Sequence, residues 1–395
     1  MPDPECRVGP RGLRRGAALT LVFASVLAAG AATGALPYGE KPEPPVHARS
    51  VAATADRDAV AEAAAEAVAD GKSGTEAAEE VVSRSGDRWG AVYDEREYQE
   101  FEQALDGTYT GVGLAARRSA DGQVSVSRVQ PGSPAERAGI RAGDLLRTVD
   151  GRRVDRLPVS DVVALLRGDA TAATAGSTVR LGVRRGSVTR TETLRRARLA
   201  VEAVTVRRIG AEGSGASGAV LIEVGSFTKG SGAAVRDAVR RAPAGAGVLL
   251  DLRGNPGGLV TEAVTAASAF LDGGLVATYD VHGEQRALYA RAGGDTERPV
   301  VVLVDGGTMS AAELVTGALQ DRGRAVTVGS RTFGKGSVQM PSKLAGGSVA
   351  ELTVGHYRTP AGRGVDGKGI TPDLAVSSRA QERAETVLSG LGGGS

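Results

Sequence analysis

Three short apolar runs, VLIEV at 220–224, VLLDL at 248–252 and VVLV at 301–304, are each followed by a stretch of helix-forming composition. Runs this short, rich in β-branched residues, read as buried strands. The stretches after them predict helices near Ser231 to Arg241, Leu259 to Leu271 and Ala311 to Gln320. Such alternation constrains the chain more than any other feature, since it implies an α/β core, here 196–380, with a largely parallel central sheet. In such sheets ligands are met where strands end and Gly-rich loops lead into helices.

The chain has 395 residues, room for two or three domains. Its 48 basic and 46 acidic side chains leave a formal charge of +2, so no excess charge recruits nucleic acid. The one cysteine, Cys6, allows neither an internal disulfide nor a Cys-rich metal cluster. Arg7, Arg11, Arg14 and Arg15 precede an uncharged run from Gly16 to Leu36. This pattern predicts that 1–36 is an export signal, kept as a single-pass anchor with the rest of the chain outward, or cleaved to release a secreted protein. Residues 37–55 are Pro-rich and polar, suiting an extended linker, and 56–105 read as a helical region. Residues 381–395 are expected to be a C-terminal tail.

Between 106 and 195 short β-branched runs alternate with turn dipeptides such as Asp121-Gly122 and Asp150-Gly151. One amphipathic helix, Ser160 to Arg167, is expected with Ser160 as its N-cap. GVGL at 111–114, VQPGSPAERAGIRAGDLLRTVDG at 129–151 and that helix together resemble a PDZ domain. The resemblance implies a β-rich module whose loop Gly111, Val112, Gly113 and Leu114 offers backbone N–H groups to the terminal carboxylate of a protein with an apolar C-terminus.

Two strand-to-helix loops, RGNPGG at 253–258 and DGGTMS at 305–310, can present free N–H groups to a ligand. Ser310, where the third helix should open, can cap that helix or act as a nucleophile beside its positive end. A nucleophile needs a base. His47 lies in the linker, and a triad would have to use His282 or His356, yet Ser310 lacks the G-x-S-x-G elbow. Lys335, between Gly334 and Gly336 and ahead of an apolar strand-like stretch, is the better candidate, since desolvation can bring a lysine toward neutrality. Gly329, Gly334 and Lys335 nearly match a phosphate-binding loop. However, Gly336 stands where Ser or Thr must hold magnesium, and SVQM reads as strand rather than helix.

Taken together, DLRGNPGGLVTEAV, VVLVDGGTMSAAELVTGALQDRGRAVTVGSRTFGKGSVQ and YRTPAGRGVDGKGITPD resemble the C-terminal processing peptidases, also called tail-specific proteases. The resemblance implies a Ser-Lys serine endopeptidase acting on protein substrates, with Ser310 as nucleophile, Lys335 as base and Gln339 orienting the lysine. The oxyanion hole falls to the N–H groups of Gly258 and Ala311, and no metal or organic cofactor is implied. Ala312 departs from the serine that many relatives carry there. A catalytically inactive PDZ scaffold or adaptor at the cell surface would be favoured by loss of Ser310, Lys335 or Gln339, and all three are present.

Overall fold

A computed structural model describes residues 54–119, 122–155, 157–168, 175–210, 218–281 and 284–392. The expected signal 1–36, all but the end of the linker 37–55, and Cys6, His47, Asp121 and His282 lie outside them. The described chain forms two compact units, 108–201 and the remainder.

The remainder opens with helices α1 (Arg57–Ala69) and α2 (Gly74–Ser85), strand β1 (Ala91–Tyr93) and helix α3 (Glu95–Leu105). Each helix starts on a side-chain oxygen: Asp56 accepts from Asp58 and Ala59 N–H, Ser73 from Glu76 N–H, and Asp94 from Glu97 N–H. Gly86, at φ 77°, ends α2 in the left-handed conformation that glycine adopts without strain.

Unit 108–201 contains β2 (Thr108–Gly111), β3 (Leu114–Arg118), β4 (Val124–Val129), α4 (Pro134–Arg137), β5 (Leu145–Val149), β6 (Arg152–Arg153), α5 (Val159–Arg167), β7 (Thr178–Arg185), β8 (Val188–Arg195) and β9 (Ala197–Ala200). Its antiparallel sheet runs β3-β4-β5-β7-β8, with β6 on β5, while β2 pairs separately with β9. That pairing carries the unit past Arg195, where the sequence pattern placed its end. Helix α5 begins at Val159 behind Pro158, so Ser160 is its second residue and not its N-cap. The fixed φ of proline, −49° here, sets the helix entry in place of a hydroxyl.

The rest of the chain adds β10 (Val204–Ile209), β11 (Ala219–Val224), α6 (Ser231–Arg241), β12 (Val248–Asp251), α7 (Val260–Ala267), β13 (Leu275–Val281), β14 (Glu284–Tyr289), β15 (Val300–Val304), α8 (Ala311–Asp321), β16 (Val326–Gly329), β17 (Ser337–Lys343), β18 (Val349–Arg358), β19 (Leu374–Ala375) and α9 (Ala380–Gly392). The central sheet, ordered β10-β11-β12-β15-β16-β19, is mixed, because β10 runs antiparallel to β11 while the other pairings are parallel. Its strands alternate between two apolar environments. Ile222, Leu250 and Val302 pack with α6, α7 and α8, whereas Leu221, Leu249 and Leu303 pack with Ala384 and Leu388 of α9. Burial on both faces explains why these strands read as continuous apolar runs. The stretch expected to be a tail is therefore largely helix, docked on the sheet. Helix α7 stops at Ala267, shorter than the expected Leu259 to Leu271, although Phe270 and Leu271 beyond it remain buried.

A second, antiparallel sheet runs β1-β18-β13-β14, with β17 also on β18. Against it α1 and α2 bury Val60, Ala64, Ala78 and Val82 with Leu344 and Leu352. Among the described residues no helix is long and apolar enough to cross a membrane.

Candidate active site

The loops that follow β12 and β15 are braced against each other. Asn255, fully buried, donates from Nδ2 to the Val224 carbonyl at 2.8 Å, accepts Gly257 N–H on Oδ1 at 2.8 Å, and accepts Met309 N–H on its own carbonyl at 2.9 Å. Asp305 Oδ1 accepts Gly254 and Gly307 N–H at 2.9 and 2.8 Å, and Thr308 Oγ1 donates to the Leu252 carbonyl at 2.9 Å. Each such bond contributes about 1 kcal/mol net, and leaving a buried partner unmet costs more. The two loops therefore behave as one rigid rim at the carboxyl ends of the parallel strands.

Ser310 sits on this rim with φ 52° and ψ −118°. Among the described residues only Asp150, Ser310 and Arg379 have positive φ without being glycine. The extended N-caps Asp56 and Ser73 have φ near −70°, so Ser310 enters its helix differently and holds strained backbone of the kind that clusters at functional sites. Gly257, at φ 98°, lies against it: a Cβ there would stand 2.9 Å from Ser310 Cβ and 3.0 Å from Ala311 N. Gly258, at φ 133°, bridges Phe227, and a Cβ on it would meet the Phe227 carbonyl oxygen at 2.4 Å. Only glycine fits at either place, and Gly257 lies beside the start of α8 while Gly258 lies on the Phe227 backbone.

Lys335 arrives from the loop between β16 and β17. One carboxylate ties this loop to Ser310: Glu313 Oε2 accepts Ser310 N–H at 3.0 Å and Lys335 N–H at 2.8 Å. Its Oε1 accepts Thr332 Oγ1 at 2.5 Å and Gly334 N–H at 2.7 Å. Glu313 is fully buried. Burial pushes its carboxyl upward, opposed by these four donors, and the balance stays above the usual carboxylate range. Tyr357 adds a further brace, donating its hydroxyl to the Ser310 carbonyl at 3.0 Å. No hydrogen bond joins Ser310 to Lys335 Nζ, which lies 5.2 Å from the centroid of the Trp89 ring.

The lysine is enclosed enough to change its chemistry. Burial lowers the Lys335 ammonium from its ordinary range, with Glu351 and Asp87 pulling the other way. Burial also raises the Glu351 carboxyl to about 7, opposed by Lys335. For Asp87 burial alone would do the same, but donors from Thr353 and Trp89 outweigh it and hold the group low. Desolvation thus favours the neutral amine of Lys335, while the two carboxylates favour its ammonium, and the balance leaves the lysine below its ordinary range.

Of the residues picked out in the sequence, Ser310, Ala311, Lys335, Gly258 and, through its strand, Gln339 belong to this unit. Gln339 is not bonded to Lys335: its amide donates to Ser337 Oγ at 2.6 Å and Thr353 Oγ1 at 3.4 Å. A register shift between Val338 and Gln339 accompanies this placement. His356 is paired with Asp366 at 3.8 Å and not hydrogen-bonded to Ser310. In the other unit Val112 is buried in the module's own core, while the Val112 and Gly113 carbonyls accept from Ala135 and Gln130 N–H, and Gly113 has φ 80°. Glu313 escaped the sequence reading, although the S-x-x-E spacing of a capping box marks it. Asp87, Trp89 and Glu351 carried no local signal.

Similarity to known proteins follows the same two units. A family model described as peptidase family S41 matches residues 219–376, and a PDZ-domain model matches 125–185. The chain is 33% identical over 309 residues to the chloroplastic carboxyl-terminal-processing peptidase 2 of Arabidopsis thaliana, covering 75% of this chain and 59% of the relative. It is 31% identical over 324 residues to a "Probable CtpA-like serine protease" of Staphylococcus haemolyticus (strain JCSC1435), covering 78% and 61%. The chain thus spans about three fifths of the length of these curated relatives. The solved structure of a photosystem II D1 C-terminal processing protease superimposes with a TM-score of 0.50 at 30% identity, over 81% of this chain and 86% of that one.

Proposed function

This chain belongs to peptidase family S41, and from that premise we propose that it is a serine endopeptidase selecting protein substrates by their C-terminal tails. The carrying observation is the Glu313 carboxylate, whose single oxygen Oε2 accepts the backbone N–H of both Ser310 and Lys335. That junction holds the main chains of nucleophile and base in one place while leaving both side chains to react.

In the proposed reaction, neutral Lys335 takes the Ser310 proton as Oγ attacks the peptide carbonyl. The oxyanion is assigned to the N–H groups of Gly258 and Ala311, the second at the positive end of α8 and the first next to Gly257, which packs against Ser310 and Ala311. The lysine then protonates the leaving amine, and water activated by the same lysine releases the acyl group. Gln339 Oε1 has no partner among the described residues, and we assign it to accept from Lys335 Nζ when the dyad closes. No step calls on a metal or organic cofactor. The N–H groups of the GVGL segment in the PDZ-like unit are assigned to the substrate carboxylate. Synthesis as an exported protein follows from the arginines and uncharged run of 1–36. A C-terminal domain fully protected from external protease in spheroplasts would refute that location.

The test is cleavage of an unfolded protein with an apolar tail, products read by mass. Ser310→Ala, Lys335→Ala and Lys335→Arg should each lose cleavage by at least about 10³-fold while keeping the wild-type melting profile, because the dyad acts as a unit and arginine stays protonated. Turnover near wild type by any of the three would sink the dyad.

A further inference from the structure

Trp89 occupies a four-residue turn between α2 and β1 that is fixed to the second sheet. Asp87 Oδ1 accepts Trp89 and Gly90 N–H at 3.1 and 2.9 Å and also Thr353 Oγ1 at 2.8 Å, while its Oδ2 accepts Thr353 N–H at 2.9 Å. From this base the indole reaches both sides of Lys335. Its ring packs on Phe333 with centroids 5.7 Å apart, and Nε1 donates to Asp366 Oδ1 at 3.3 Å. The same Asp366 oxygen accepts Gly336 N–H at 3.2 Å. Phe333 is two residues before the lysine and Gly336 is the residue after it. The Lys335 Nζ then rests 5.2 Å from the ring centroid.

Resting on the assignment of Lys335 as base, we propose that Trp89 is the positioning residue for that base, its indole clamping the lysine loop and covering the amine. Two physical effects of the ring oppose each other. The large apolar body keeps water from Nζ, which favours the neutral amine, whereas the π face attracts an ammonium. Removing the whole ring admits water and should raise the lysine's proton affinity, whereas an apolar side chain without a π face keeps the cover and should not raise it. The charged groups facing the amine are Glu351 on β18, Asp87 and Arg88 in the turn, Asp366 beyond Gly336, and Glu313 beneath the lysine backbone; of these Arg88 lies 4.6 Å over the indole, and Asp366 loses the indole donor in every variant, a change common to the series.

The experiment is the pH profile of kcat and of kcat/KM for cleavage of one unfolded substrate by the full chain and by Trp89→Ala, Trp89→Leu and Trp89→Phe, with Lys335→Ala in parallel. Trp89→Ala should lower kcat more than it changes KM and move the acid limb up by about one pH unit, because water reaches the amine. Trp89→Leu, which keeps an apolar cover, should leave the limb at or below the wild-type midpoint, and Trp89→Phe should restore most of kcat. Midpoints equal to wild type in Trp89→Ala and Trp89→Leu, or shifted the same way in both, would overturn the proposal even if turnover fell. If Trp89→Ala does not fold, an upward-shifted midpoint in Trp89→Leu overturns it, and an unshifted or lowered one with kcat rescued in Trp89→Phe supports it. An active Lys335→Ala would instead remove the base assignment itself, so the two failures are told apart.

Discussion

Glu351 shows how one side chain can couple catalysis to stability. Its carboxyl titrates at about 7 because β17, β18 and β1 bury it, and its charge faces Lys335. When ionised it favours the ammonium form of the lysine, so it should work against the base. Glu351→Gln is therefore expected to shift the acid limb of the kcat/KM profile to lower pH, and an unmoved or raised limb would contradict the electrostatic coupling. The stability consequence has a definite sign. The unfolded carboxyl loses its proton near 4.5 while the folded one holds it to about 7, so the native state binds more protons across that window and stability falls as pH rises through it. The cost at alkaline pH is at most about 3 kcal/mol before screening by water and Lys335 reduces it. Urea midpoints measured from pH 4.5 to 8 should drop for the wild type and stay flatter for Glu351→Gln. None of this was legible in the sequence, since Glu351 lies in AELTV with nothing nearby to mark it and meets Lys335 only through strand pairing. Ser310 and Lys335 were legible because their loops are dense in glycine, and Glu313 could have been found by its spacing from Ser310.

At the level of elements, what could be read in advance was what is written locally. Strands β11, β12 and β15 are apolar on both faces and identify themselves, whereas β14, EQRALY, is almost wholly exposed, and β1 is three residues long. β1 pairs Ala91 with Glu351, a partnership across most of the chain that no window of sequence contains. The antiparallel β10 edge was likewise hidden, because pairing direction is fixed by the connection and not by side-chain pattern. The glycines about Lys335 are a different case, since their composition was visible but its cause was not. Gly336 is needed because a Cβ would stand 2.4 Å from the Asp366 backbone nitrogen, and Gly334, at φ 92°, abuts the backbone of Gly369. Gly336→Ala must therefore push the lysine loop off the 364–369 segment. Overpacking of this kind costs about 1–3 kcal/mol, so the melting temperature should fall by a few degrees and cleavage by at least about tenfold. Gly390→Ala, in an open stretch of α9, should instead raise the melting temperature slightly. Equal behaviour of the two variants would show that the contact is not what demands glycine.

For the whole molecule, the question is what a PDZ-like unit would add to the proposed peptidase. The β-rich unit has its own core of Val124, Val126, Leu146, Val179, Leu181 and Val183, so it can hold a loop rigid without help from the other unit. In the GVGL loop the Val112 and Gly113 carbonyls are already committed to Ala135 and Gln130 respectively, and Val112 points into the core, leaving Leu114 as the partly exposed apolar side chain. A carboxylate bound by N–H groups of such a loop gains charge-assisted hydrogen bonds worth roughly 1.5–3 kcal/mol. Amidating a substrate's C-terminus removes that charge and should slow its cleavage by about tenfold or more, mostly through KM, while an acidic last residue should weaken it further by placing a second charge beside Leu114. The decisive comparison uses one unfolded protein ending in an apolar, an amidated apolar or an acidic tail, cleaved by the same enzyme under conditions where kcat/KM is read directly. A substrate lacking any recognition by the PDZ-like unit still reaches Ser310 from solution, so residual cleavage is expected and is no objection. Equal kcat/KM for all three tails would mean that the unit does not select C-termini, and the tail specificity assigned to this chain would fall while the Ser310 and Lys335 chemistry stood.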